Sequence, residues 1–184
     1  MLFLKEHPQY IFRTELRPDF ADDLNAVDSN ATELLIQGKT KNLQRLKLFS
    51  NLQKLWIYTV NQSQFDTILR LVSPKMLHIY EMRVEDLSNL ECLKELEVLA
   101  LEWNTKAHKL WNISKNQNLK SLSIKDFSKL NDIERLEQAT RMELLDLSGS
   151  DSTSLKLKNL GSLKQLINLK FLGLSNIKVE DESL

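Results

Sequence analysis

The sequence predicts an α/β solenoid, curved and right-handed, with a parallel sheet on its concave face and 3₁₀-like or irregular helical returns on its convex face. Three observations predict it. Leucine fills 37 of 184 positions, against 4 glycines and 3 prolines. A six-residue pattern, Leu-x-x-Leu-x-Leu, returns at a nearly fixed interval along most of the chain. Between its copies, as in "VEDLSNLECLKEL" from Val84 to Leu96, an apolar residue stands at every third position.

The pattern reads "LQKLWI" from Leu52, "PKMLHI" from Pro74, "LEVLAL" from Leu96, "LKSLSI" from Leu119, "MELLDL" from Met142 and "LKFLGL" from Leu169. Its middle leucines, Leu55, Leu77, Leu99, Leu122, Leu145 and Leu172, are spaced by 22, 22, 23, 23 and 27 residues. A degraded copy, "ATELLI", places Leu34 another 21 residues upstream. The step of two, as from Leu99 to Leu101, sends both side chains to one face of a short strand. The step of three matches a helix with three residues per turn, so Val84 through Leu93 line one side of the return. A single unit cannot bury its own apolar edge, but stacked units join theirs into a continuous leucine core with the strands paired in parallel.

These residues resemble the leucine-rich repeat family, especially its short class of about 22 residues per repeat found in bacterial and phosphatase-regulator-type proteins. The family consensus, Leu-x-x-Leu-x-Leu-x-x-Asn-x-Leu followed by leucines at every third position, is matched by "LEVLALEWNTK" and by returns such as "LNDIERLEQATRM". The resemblance covers residues 31 to 179. The departure is at the asparagine, kept only by Asn104; the equivalent places hold Val60, Met82, Phe127, Ser150 and Ile177. In the family that asparagine bonds backbone at the turn, so its loss implies apolar packing there and an irregular curve.

Residues 1–30 are less regular and are expected to form an amino-terminal capping segment, with 31–184 as the array. Within the cap, "YIFRTE" has the place of a first strand, Phe12 lying 22 residues before Leu34. "PDFADDLNAV" has a helix-start pattern, with Asp22 and Asp23 suited to the positive end of a helix dipole. At the other end "NIKVEDESL" begins a return that is not completed, so the array is expected to lack a carboxyl-terminal cap, leaving an open coil for end-to-end self-association. The spacing of 27 is accounted for by "SGSDSTS", 148–154, expected to bulge as a tolerated surface loop.

On each strand the residues flanking the two inward leucines face the concave surface, and same-column residues of neighbouring strands stack about 4.8 Å apart. Those columns gather Trp56, Tyr58, Met76, His78 and Tyr80 on two adjacent strands, with Trp103 one position past the third. The carboxyl-terminal half of the same face is small and polar. A contiguous cluster of Trp, Tyr and Met has the composition of a binding hot spot, since such side chains bring large contact area with few rotamers to freeze. The competing reading is that these rings shield one another or are covered by the amino-terminal cap. Glu102 and Lys125 share a column and are placed to form a surface ion pair. Trp111 lies off the triplet register and is expected to be partly buried on the convex side.

Little in the sequence suggests catalysis. There is no phosphate-binding glycine loop, no His-Glu-x-x-His and no Cys-x-x-Cys. His7, His78 and His108 are scattered and make no metal site by spacing, so no metal and no cofactor are expected. Cys92, the sole cysteine, reads as a small structural residue. Glu81, Glu102, Asp126 and Asp146 border the concave face in separate repeats, without a dry pocket to raise a carboxyl pKa for acid catalysis. Basic and acidic residues number 25 each, which leaves no field for nucleic acid. Lys5, Glu6 and Pro8 interrupt the first apolar residues, and no apolar run reaches membrane-spanning length, so a cytoplasmic protein is expected. Three Asn-x-Ser/Thr triplets, at Asn30, Asn61 and Asn112, carry no weight without a secretory leader.

The sequence therefore predicts a non-catalytic module for protein–protein recognition, binding a protein partner through Trp56, Tyr58, Met76, His78, Tyr80 and Trp103. The alternatives are a structural segment of a longer repeat protein and, implied by the family resemblance alone, a neutralising partner of a toxin or enzyme.

Overall fold

The computed structural model describes residues 3–181; residues 1–2 and 182–184, the outermost parts of the expected cap and array, lie outside it. One parallel sheet runs in chain order through β1 (Glu33–Gln37), β2 (Lys54–Asn61), β3 (Met76–Arg83), β4 (Val98–Asn104), β5 (Ser121–Phe127), β6 (Leu144–Ser148) and, after the short β7 (Leu155–Leu157), β8 (Phe171–Ser175). The middle leucines share one register, Leu34 beside Leu55, Leu55 beside Leu77, and so on to Leu145 beside Leu172. Their inward side chains form a core in which Leu55, Leu77, Leu99, Leu122 and Leu145 are fully buried. This is a leucine-rich repeat solenoid. Short 3₁₀ turns make most returns, among them Leu43–Leu48, Ser88–Cys92 and Glu134–Gln138, as the three-residue period requires.

One return is different. Residues Gln62–Leu69 form a true α-helix that the triplet pattern does not announce. Its start is a capping box, in which Asn61 accepts from the Gln64 amide and the Gln64 side chain accepts from the Asn61 amide, each at 3.0 Å. Phe65, Ile68 and Leu69 then fall on one helical face and are buried.

The strands share a backbone device. Thr59, Glu81, Trp103 and Asp126 all adopt left-handed φ, between 52° and 59°, at the same position of successive coils. Simple alternation would turn the next residue outward. The left-handed residue swings it inward instead, so that Val60, Met82, Asn104 and Phe127 are all buried. Because β2 to β5 bulge in step, pairing skips the bulged residues and resumes, Tyr58 with Tyr80 and then Val60 with Met82. Val60, Met82 and Phe127 pack as apolar side chains in this column, while Asn104 bonds backbone.

The Ser-rich insertion leads into a second, two-stranded parallel ladder, β7 with β9 (Ile177–Val179). Gly149 is required at its base: a Cβ there would stand 2.4 Å from the Thr153 carbonyl oxygen and 2.6 Å from that of Asn176. Trp111 is buried, its Nε1 donating to Asn116 Oδ1 at 2.7 Å, and Asn116 in turn donates to the Leu90 and Leu93 carbonyls. Cys92 is exposed.

The amino-terminal segment departs from expectation. "YIFRTE" is not a strand. His7 caps, and Pro8 begins, a one-turn helix α2 (Pro8–Ile11) that follows α1 (Phe3–Glu6), and Thr14–Leu16 is a 3₁₀ turn. Pairing with β1 starts later, where Phe20 bridges Leu35, and Asp23 then bridges Lys41 beyond the end of that strand. Asp23 also caps the turn Leu24–Ala26, accepting from the Asn25 amide.

Candidate functional site

The concave face is not an open sheet, because residues 3–16 lie across it as a strap. Phe12 is buried there against Leu35, Trp56 and Ala100. Its ring meets Trp56 edge-on at 5.7 Å and His78 at 5.4 Å. Five residues earlier, His7 stands edge-on to Phe171 at 5.4 Å, with Nε2 at 3.6 Å from Asp146 Oδ2. Ser121 Oγ donates to the Glu6 carbonyl at 3.2 Å. The small central residues Ala100, Ser121, Ser123 and Gly173 leave the depth that these turns occupy.

The strap divides the six sequence-predicted binding residues. Trp56 and His78, expected on the accessible surface, are buried beneath Phe12 and are part of the packing. Tyr58 and Met76 are half-buried at the edge of the same cluster. Tyr80 and Trp103 remain exposed, at 37% and 44%. Tyr58, Tyr80 and Trp103 form a continuous ladder along the strand ends, with ring centroids 5.5 and 5.7 Å apart. The left-handed bulge brings Trp103 into that ladder by keeping its side chain outside the core.

Charged groups border this rim. The Arg17 guanidinium lies 5.4 Å over the Tyr58 ring, whose hydroxyl burial pushes above its ordinary pKa. Glu102 does not pair with Lys125 as its column suggests; its Oε1 lies 3.5 Å from His78 Nε2. Burial pushes the Glu102 carboxyl up, but His78, Lys125 and Arg17 together outweigh this and hold it below its usual range. Burial lowers the pKa of His7, which Asp146 restores only in part, and raises that of Asp146. Glu81 accepts from Thr59 Oγ1 at 2.6 Å and pairs with Arg83 at 3.2 Å. Glu81, Glu102 and Asp146 are thus held in separate local pairs. Beside the strap, His7, Lys125, Asp146, Asp151 and Asn176 line a groove of about 580 Å³. Among the described residues there is no cluster of three or more potential metal ligands, and no helix is long and apolar enough to cross a membrane.

No protein-family model matches the chain, and no curated protein does. Solved structures do. Internalin C2 of Listeria monocytogenes aligns over 84% of this chain with a TM-score of 0.62 at 22% identity, and internalin F of the same organism over 82% with a TM-score of 0.58 at 15% identity. The chain spans 66% of the first and 43% of the second. What these structures share with this chain is the leucine-rich repeat solenoid fold.

Proposed function

We propose that the chain is a non-catalytic protein-recognition module that engages a protein partner along the rim of its concave face. The observation that carries this reading is the ladder of Tyr58, Tyr80 and Trp103, three contiguous rings spanning three coils, two of them exposed and flanked by Arg17, Glu81 and Glu102. Aromatic anchors inside a charged border are the composition of an interface core and its rim. Trp56 and His78 are the floor of this surface, and Met76 is its edge.

Affinity capture from the source lysate with the wild-type chain and with a Tyr80→Ala/Trp103→Ala variant tests the reading. The variant is expected to bind about 30-fold more weakly or worse, as loss of a hot spot does, while melting as the wild type does. Equal retention of the same protein by both chains would remove the rim from the interface. An assay of the captured protein then separates two roles: a neutralising partner silences its target, whereas an adaptor leaves it active.

A second reading, end-to-end self-association, is favoured by the last strand, where Leu172 and Leu174 are 44% and 41% exposed and Ile167 is 81% exposed. It predicts a concentration-dependent dimer in sedimentation velocity that Leu172→Lys abolishes. A monomer at every concentration would dismiss it.

A further inference from the structure

Residues 3–16 cross the sheet without joining it. Among the described residues, the first backbone hydrogen bond from the amino-terminal segment to the array is Ala21 N to Leu35 O, and the turns ahead of it bond only within themselves. The strap is held by the Ser121 bond to Glu6 and by two side-chain seats, one for the Phe12 ring and one for the His7 imidazole.

Each seat is only partly satisfied by its occupant. Beneath Phe12, the buried Trp56 Nε1 and His78 Nδ1 have no hydrogen-bond partner, a cost that a hydrocarbon ring does not relieve. A peptide backbone carbonyl beside the ring would accept from the Trp56 indole N–H, and a peptide N–H would donate to the His78 nitrogen that faces away from Glu102. At the other seat the Asp146 carboxylate, buried and bonded by Ser123 at 3.4 Å, meets an imidazole that burial holds toward its neutral form. A carboxylate in that position gains more from a cation than from a neutral ring. The groove of about 580 Å³ beside Asp146 has room for a side chain longer than histidine.

We propose that residues 3–16 are an intramolecular stand-in for a partner segment: a peptide with Lys or Arg five positions ahead of an aromatic residue displaces them, setting its cation on Asp146 and its ring between Trp56 and His78. This rests on the recognition reading above and extends it from the rim to the centre of the groove. The docked strap then sets the apparent affinity, which is the intrinsic affinity multiplied by the fraction of molecules whose groove is free.

The test is fluorescence anisotropy with a labelled peptide of residues 3–16 carrying His7→Lys, titrated into the full-length chain. A full-length Phe12→Ala chain, whose own strap has lost its ring, is expected to bind the peptide about tenfold or more tightly than the wild type. Replacing the peptide's own Phe12 by Ala is expected to abolish binding. Adding Asp146→Asn to the Phe12→Ala chain is expected to weaken the His7→Lys peptide while sparing the peptide that keeps His7. A second full-length variant, His7→Ala/Ser121→Ala, loosens the other end of the strap and is expected to shift affinity in the same direction, so the test does not depend on one folded variant. No saturable binding to either variant, equal affinity for variant and wild type, or unfolding of both variants would overturn the proposal. Partner capture at the rim and peptide uptake in the groove are separate readouts, so loss of one with retention of the other identifies which of the two fails.

Discussion

Trp56→Ala is expected to lower the free energy of unfolding by about 3–5 kcal/mol, the range for emptying a large aromatic from a packed core. Trp56 is fully buried, and its removal opens a space that Phe12, Leu35 and Ala100 line. The loss will appear as a lower midpoint in urea, followed by far-ultraviolet circular dichroism, with an unchanged slope. Trp56→Phe should cost less than about 1.5 kcal/mol, because most of the ring volume is kept and Nε1 has no hydrogen bond to lose. A cost below about 1 kcal/mol for Trp56→Ala, the value for a typical exposed or lightly packed site, would mean that the strap does not cover this ring in solution.

Asn104→Ala is expected to be comparably severe. Nδ2 donates to the Val84 carbonyl at 2.8 Å, and Oδ1 accepts from the Lys106 and Ala107 amides, also at 2.8 Å. The side chain is completely buried, so alanine leaves three backbone groups without partners, two of them closed off from solvent. At about 1–3 kcal/mol per group, discounted for the less buried Lys106 amide, the sum is about 3–5 kcal/mol, measured by the same urea unfolding. Met82 and Phe127 fill the same column without hydrogen bonds, but Asn104→Met is expected to fail as a rescue. The turn from 104 to 107 is folded around the asparagine carbonyl, whereas the others are folded around hydrocarbon. An Asn104→Ala chain as stable as the wild type would show that the turn finds other donors and acceptors.

The array was legible in the sequence because its determinants are local and periodic. A two-residue step followed by a three-residue step locates both strand and return, and the middle leucines Leu34 through Leu172 meet in the register that their spacing gives. The helix after β2 was missed, although its signals were present in Asn61 and Gln64 as a capping pair and Phe65, Ile68 and Leu69 as a buried face. The left-handed bulges were hidden because Thr59, Glu81, Trp103 and Asp126 are not the glycines that normally mark such backbone.

The site was only half legible. Placing Trp56 and His78 on the concave face follows from alternation, but whether they meet solvent depends on Phe12, dozens of residues away and outside any repeat. One signal in the sequence pointed that way. The small column of Ala100, Ser123 and Gly173 beside bulky Trp56 and His78 is the outline of something that must fit between them.

The seats of the strap also fix when it can close. Neighbouring coils interact across some 22 residues, but the Ser121 bond to Glu6 spans 115, and the His7 imidazole waits for Phe171 on β8. On a ribosome, His7 leaves the tunnel more than 160 residues before Phe171 completes its seat. At about 5–20 residues per second, the strap spends roughly 10–30 s of every round of synthesis with its groove incomplete. In that interval the nascent chain displays Phe12 and the unfinished aromatic floor together, the moment at which a co-translational chaperone or an early-arriving partner has access to both.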